Sequence, residues 1–162
     1  MELSFKNKVV VVTGAAGGFG SATARAFAAA GAHVVVSDID TAGAERLAAD
    51  LPSAIAVTTD VTDADAMREL VDASESAFGG IDVMVNNAGV PHRAGNLVDL
   101  DVETVDRQLA VNVRSVFLGC KYAVPALRRR GGGVVVNVAS IAAKRPRPGL
   151  TVYNATKAPS SR

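Results

Sequence analysis

Tyr153 and Lys157 stand four positions apart in the stretch YNATK, and Ser140 lies thirteen positions upstream of the tyrosine. In a helix an i, i+4 spacing projects both side chains from one face, so the ammonium can sit near the phenol. A free phenol titrates near pKa ~10 and is a poor base at neutral pH, whereas a neighbouring cation favours its ionised form. Lowering it by ~3 units takes about 4 kcal/mol of preferential stabilisation. Such a pair suits proton transfer to and from a substrate oxygen. The same spacing also arises on ordinary surface helices, so its meaning depends on what the rest of the chain brings beside it.

A second chemical signal lies near the N-terminus. VVVVTGAAGGFGSATARAFAAAG runs from a β-branched stretch through Gly14, Gly17, Gly18 and Gly20 into an alanine-rich segment. Glycine permits positive φ and close backbone approach, and a helix N-terminus offers unpaired N–H groups and the positive end of its dipole. The expected ligand is a diphosphate. A nucleotide-hydrolysing phosphate loop needs Lys and then Ser or Thr after its last glycine, but Ser21 and Ala22 follow Gly20. The spacing G-x-G-x-x-G is absent as well; what stands is Thr13, Gly14, three residues, Gly18, Phe19, Gly20. Asp38 closes the second β-branched run eighteen positions past Gly20. A carboxylate there can accept hydrogen bonds from adenosine ribose hydroxyls and repels a 2′-phosphate, so NAD is expected over NADP. A plain surface-turn aspartate is the alternative.

These residues must be positioned by regular elements, and two kinds of segment alternate along the chain. Residues 9–12, 34–36, 55–58, 81–85 and 134–138 are short β-branched runs without a polar face, as expected of parallel strands buried on both sides. Between them, residues 22–30, 42–51, 63–78 and 101–130 carry helical spacing. Gly31 and the pair Gly79 and Gly80 stand where helix C-termini favour glycine, and Thr62 and Asp63 are N-cap candidates. Alternation of this kind predicts right-handed crossovers and a doubly wound α/β sheet, with ligands held by loops at the carboxyl ends of the strands.

The pattern TGxxxGxG resembles the short-chain dehydrogenase/reductase family. The likeness extends over nearly the whole chain: Asp60 and Val61 after the third strand, Asn86, Asn87, Ala88 and Gly89 after the fourth, Asn112 in the long helical segment, then Ser140, Tyr153 and Lys157. The resemblance implies a Rossmann-type sheet of about five strands in the order 3-2-1-4-5, and an NAD(P)-dependent oxidoreductase acting on a secondary alcohol or ketone. It implies cofactor binding by Gly14, Gly18, Phe19, Gly20, Asp38, Asp60, Val61, Asn87, Ala88, Gly89, Tyr153 and Lys157. Asp60 would accept from the adenine amino group, Asn86, Ala88 and Gly89 would line the cofactor cleft, and Asn87 would also steady the central strand. Tyr153 becomes the acid/base, assisted by Lys157 and oxidised nicotinamide together. Lys157 also holds the nicotinamide ribose, Ser140 bonds the substrate oxygen, and Asn112 supports a water relay to Lys157. His92, Arg93 and residues 144–148 are expected to border the substrate pocket. No metal-ligand set is assigned.

The bulk of the chain narrows the remaining classes. Its 162 residues fit one dinucleotide-binding domain, residues 1–162, and 17 basic against 16 acidic residues leave a net charge of +1. No global field favours nucleic acid or a membrane surface. Arg128, Arg129 and Arg130 read as solvated charge at a helix C-terminus. Cys120, the single cysteine, excludes an internal disulfide and reads as a core residue in a reducing, cytoplasmic compartment. Neither a signal peptide nor a membrane span is legible.

In relatives the helix bearing the tyrosine continues for several turns, often forms a homo-oligomer interface, and is followed by further strands and a substrate-covering loop. The resemblance thus implies a C-terminally truncated chain. Pro159 falls within the expected helix and lacks the N–H that would pair with the Ala155 carbonyl, a cost of ~3 kcal/mol in a helix interior. A loose Tyr153 to Lys157 geometry, an exposed apolar edge at residues 134–138 and poor or absent turnover are expected. The alternatives are a dinucleotide-binding module without turnover and an inactive truncated product.

Overall fold

The computed structural model describes residues 4–158. Its elements are β1 (Val9–Thr13), α1 (Gly18–Ala29), β2 (His33–Asp38), α2 (Thr41–Ala49), β3 (Ala54–Thr58), α3 (Ala64–Phe78), β4 (Val83–Asn86), α4 (Val102–Leu109), α5 (Ser115–Arg129), β5 (Val134–Asn137) and α6 (Thr151–Lys157). The five strands are parallel in the order β3-β2-β1-β4-β5, a Rossmann-like α/β fold. Pro159, expected within the last helix, lies outside the described residues.

β1, β2 and β4 lack a polar face because helices cover them on both sides, whereas β3 is partly buried and β5 is mostly exposed. Val9, Val11, Val35 and Met84 pack with Met67, Leu70, Leu118 and Ala126 in the layer under α3 and α5. Val10, Val12, Val34, Val36 and Val85 pack with Ala24, Ala28, Ala44 and Leu47 under α1 and α2. Alternation along each strand sends successive valines to opposite layers. The small residues of α1 let it approach the sheet closely.

At the amino ends of the strands, Asp82 joins three segments. Its Oδ2 accepts from the Val9 N–H at 3.0 Å and its Oδ1 from Lys8 Nζ at 2.9 Å, with Arg130 Nε 3.6 Å from Oδ2. Burial pushes this carboxyl up, but the Val9 N–H, the Lys8 ammonium and the Arg130 charge outweigh it and hold the pKa below 3.8. Of the basic run, Arg129 bonds Glu75 of α3 at 2.7 Å. Cys120 is partly buried against the Asn86 amide, and burial pushes its thiol up, as befits a packing residue.

Asp40, Asp63 and Asp101 cap α2, α3 and α4, each carboxylate accepting from backbone N–H groups of the first turn. Asp63, not Thr62, is the cap of α3. Gly31 at φ +91° and Gly79 at φ +74° follow α1 and α3 as expected.

The segment 101–130 departs from the expected single helix. A π-helical turn, Ala110–Arg114, separates α4 from α5. It adds a residue to one turn and carries Asn112 into the interior, where the side chain is 1% exposed. The Ser115 hydroxyl donates to the Val111 carbonyl within the same distortion. Among the described residues no helix is long and apolar enough to cross a membrane.

Candidate functional site

The loops at the carboxyl ends of the strands enclose a cleft of about 1180 Å³. Of the residues singled out in the sequence, Gly14, Gly18, Phe19, Gly20, Asp38, Asp60, Val61, Asn87, Ala88, Gly89, Ser140, Tyr153 and Lys157 all line it. Asn86 does not. Its amide donates to Asn137 Oδ1 at 2.9 Å, joining β4 to β5 behind the cleft, because strand alternation turns it away from its neighbour Asn87.

The glycine loop is held from the side by β4. Asn87 Nδ2 donates to the Thr13 carbonyl at 2.8 Å and the Gly14 carbonyl at 3.0 Å, while Thr13 Oγ1 accepts from the N–H groups of Asn87 and Ala88. Asn87 therefore braces the strand and lines the cleft at once. Gly14 sits at φ +63°, and a Cβ there would stand 2.8 Å from Ala88 Cα. Asp38 Oδ2 accepts from the Ala16 N–H at 2.8 Å and Oδ1 from the Asp40 N–H at 3.0 Å, so the end of β2 also shapes the loop.

The first turn of α1 is left for a ligand. Gly17 is its N-cap and no side chain caps it, unlike α2, α3 and α4. A Cβ at Gly17 or Gly18 would meet nothing within 4 Å. Open N–H donors at a positive helix end fit a diphosphate. Asp60 is exposed, and its Oδ1 accepts from the N–H and hydroxyl of Thr62.

At the other flank, α6 has seven residues, below the ~12 at which an isolated helix becomes stable. It is held by tertiary bonds. Asn112 Nδ2 donates to Thr156 Oγ1 at 3.1 Å, and Lys157 Nζ donates to the Val138 carbonyl at 3.1 Å. Asn112 also donates to the Val90 carbonyl and to Gln108 Oε1, while its Oδ1 accepts from the Val90 N–H at 2.8 Å. Gln108 and Thr156 escaped the sequence reading; the signal for Gln108 was a polar residue one turn before Asn112 on the same helical face. A Cβ at Gly89 would stand 3.1 Å from Lys157 Nζ and 3.3 Å from Asn112 Oδ1, so glycine is what lets these groups approach.

Tyr153 and Lys157 face the same cleft without a hydrogen bond between them among the described residues. Lys157 is 5% exposed, and burial pushes its pKa below 10.5. Ser140 caps the short 3-10 turn Ile141–Ala143, its Oγ accepting from the Ala142 N–H at 3.1 Å. Of residues 144–148 only Arg147 lines the cleft. His92 and Arg93 line a neighbouring cavity of about 610 Å³ instead, because the loop 90–96 folds toward α4 and Gly149.

A family model described as short chain dehydrogenase matches residues 8–160. The chain is 39% identical over 160 residues to the 4-formylbenzenesulfonate dehydrogenase of Comamonas testosteroni, covering 96% of this chain and 64% of that protein. It is 36% identical to the 2,5-dichloro-2,5-cyclohexadiene-1,4-diol dehydrogenase of Sphingobium indicum, covering 93% of this chain and 62% of the relative. A crystal structure of the 3-ketoacyl-(acyl-carrier-protein) reductase from Brucella melitensis, complexed with NADH, superposes with a TM-score of 0.92 at 42% identity, covering 96% of this chain and 66% of that one. The chain thus spans less than two thirds of the length of these relatives.

Proposed function

Because the chain belongs to the short-chain dehydrogenase/reductase family, we propose that it is an NAD-dependent oxidoreductase interconverting a secondary alcohol and a ketone. The observation that carries this reading is a single cleft lined at one flank by an uncapped helix N-terminus and at the other by Ser140, Tyr153 and Lys157. The bound dinucleotide supplies or accepts the hydride. The remaining work falls to the chain's own side chains.

In the direction of reduction, the Tyr153 hydroxyl donates its proton to the substrate oxygen as the carbon becomes a carbinol; in oxidation the phenolate takes that proton back. Ser140 has a hydroxyl proton left to donate to the same oxygen, since its bond to Ala142 uses only an acceptor lone pair. Lys157 supplies a cation on the same helix face, and Asn112 fixes the loop at Val90 and α6 against each other. Asp38 supports NAD over NADP. Its carboxylate repels a 2′-phosphate, and the nearest cation on α1, Arg25, is engaged with Asp50 at 2.9 Å.

Titration with NADH and NADPH, followed by turnover on a panel of alcohols and ketones, tests the reading. NADH is expected to bind more tightly than NADPH, and Tyr153→Phe is expected to lower kcat by about 10²- to 10⁴-fold while NADH still binds. Turnover that survives the substitution would defeat it. NADH binding without any turnover would leave a dinucleotide-binding module.

A further inference from the structure

The charged side chains of the cleft are sorted by sign. Asp38 and Asp60 follow β2 and β3, whereas Arg107, Arg147 and Lys157 come from α4, the loop after β5 and α6. Adjacent strands lie ~4.8 Å apart, so β2 and β5 are separated by about 14 Å across the order β3-β2-β1-β4-β5. That exceeds a Debye length of ~8 Å at physiological salt, so the carboxylates at one end do not neutralise the cations at the other.

Two of these cations lack a partner. Among the described residues no carboxylate lies within 4.0 Å of Arg107 or Arg147, whereas Arg25, Arg68, Arg129 and Arg130 each have one. Lys157 is turned to the Val138 carbonyl. The backbone of Arg147 is fastened beside the acid/base residue: its N–H donates to Asn154 Oδ1 at 3.2 Å, and its carbonyl accepts from Asn154 Nδ2 at 2.9 Å and from the Leu150 N–H at 3.2 Å. Asn154 follows Tyr153 directly in α6. A second tie runs from the Gly95 N–H to the carbonyl of Gly149, a residue at φ +75°, and closes the loop against the segment 90–96.

An open guanidinium on a backbone braced by Asn154, lining the same cleft as Tyr153, is suited to bidentate recognition of an oxyanion. We propose that the substrate is an alcohol or ketone carrying a carboxylate or sulfonate, and that Arg147 binds this group while Arg107 adds to the positive field. The proposal rests on the oxidoreductase reading for the reacting carbon, but the anion preference is measurable without turnover. The neighbouring cavity shares Arg107 and adds Arg93, but Asp99 and Asp101 line it with them and offset their charge.

The test uses a keto acid, its methyl ester and the sulfonate of the same skeleton as probes, with binding to the NADH-loaded chain read by ligand-observed NMR alongside steady-state rates. Acid and sulfonate are expected to bind at least about fivefold more tightly than the ester at low salt, with the gap narrowing as salt rises. A sulfonate bound far better than the acid, or the reverse, identifies which anion the site serves. Arg147→Ala keeps the backbone bonds to Asn154, so it should abolish the preference while leaving ester and NADH affinities unchanged; Arg107→Ala should reduce it in part. Equal binding of acid and ester by the unsubstituted chain would overturn the proposal, as would an Arg147→Ala variant that weakens NADH or all three probes alike. A preference without turnover keeps the anion site and removes the oxidoreductase reading. Turnover without preference does the opposite.

Discussion

Burial strips water from the Lys157 ammonium, and the Val138 carbonyl it contacts brings no compensating charge. Its protonated form is therefore disfavoured in the folded chain, and the pKa falls below 10.5. The consequence for stability has a definite sign. Between the lowered folded value and the unfolded value the unfolded chain binds more protons, so stability rises with pH across that window and levels off above it. The unfolding free energy of the natural chain minus that of Lys157→Met is expected to increase as the pH is raised from 7 towards 10.5. Denaturant titrations of both proteins at several pH values check this; a difference that stays flat would show that Lys157 ionises as it does in water.

At the scale of elements, Asp82 does for the amino ends of the strands what Asn87 does for the carboxyl ends. Besides the bonds of its carboxylate, its backbone N–H donates to the Val9 carbonyl and its carbonyl accepts from the Val134 N–H, so β1, β4 and β5 start from one residue. Asp82→Ala leaves the Val9 N–H and the Arg130 guanidinium without their carboxylate and is expected to cost about 2–3 kcal/mol. The sign with pH follows from its lowered pKa: the contribution is complete above about 3.8 and is lost as the pH falls through the folded value. Urea unfolding at pH 7 and at pH 3 should show the gap between the two proteins shrinking in acid; a variant as stable as the natural chain at pH 7 would refute the account. Elements of this kind were unevenly legible. The strands could be read from runs such as residues 9–12 because burial on both faces removes polar residues. The π-helical turn could not, since the apolar spacing is helical on both sides of it and one inserted residue leaves no composition signal. For the same reason Asn112 was found as a residue, while its bonds to Val90, Gln108 and Thr156 were not. Arg147 was legible only as part of the stretch 144–148, because which member of a loop faces a cleft depends on tertiary ties, here to Asn154.

For the molecule as a whole, the sheet is protected unevenly. α1 packs on β1 and β2, α2 on β2 and β3, and α5 on β4 and β5. Val135 enters the core layer beneath α3 and α5, so alternation directs Val134 and Val136 to the opposite layer, where they remain 55% and 40% exposed. β5 is also the sheet's last strand in the order β3-β2-β1-β4-β5, with no strand on its outer side among the described residues. An apolar strand with an unpaired backbone edge is a template for pairing with another chain. This chain, purified as it stands, is therefore expected to associate in a concentration-dependent manner, with light scattering giving a mass that climbs over a tenfold concentration range. Val134→Lys with Val136→Lys places charge on the exposed face without disturbing the core, so stability should change by no more than ~0.5 kcal/mol per site while association is suppressed. The double variant separates the edge from other apolar surface such as Phe117, which is 63% exposed on α5. If the doubly substituted chain associates as strongly as the original, the contact lies elsewhere; if the original stays monomeric throughout, the open edge of β5 does not recruit a partner.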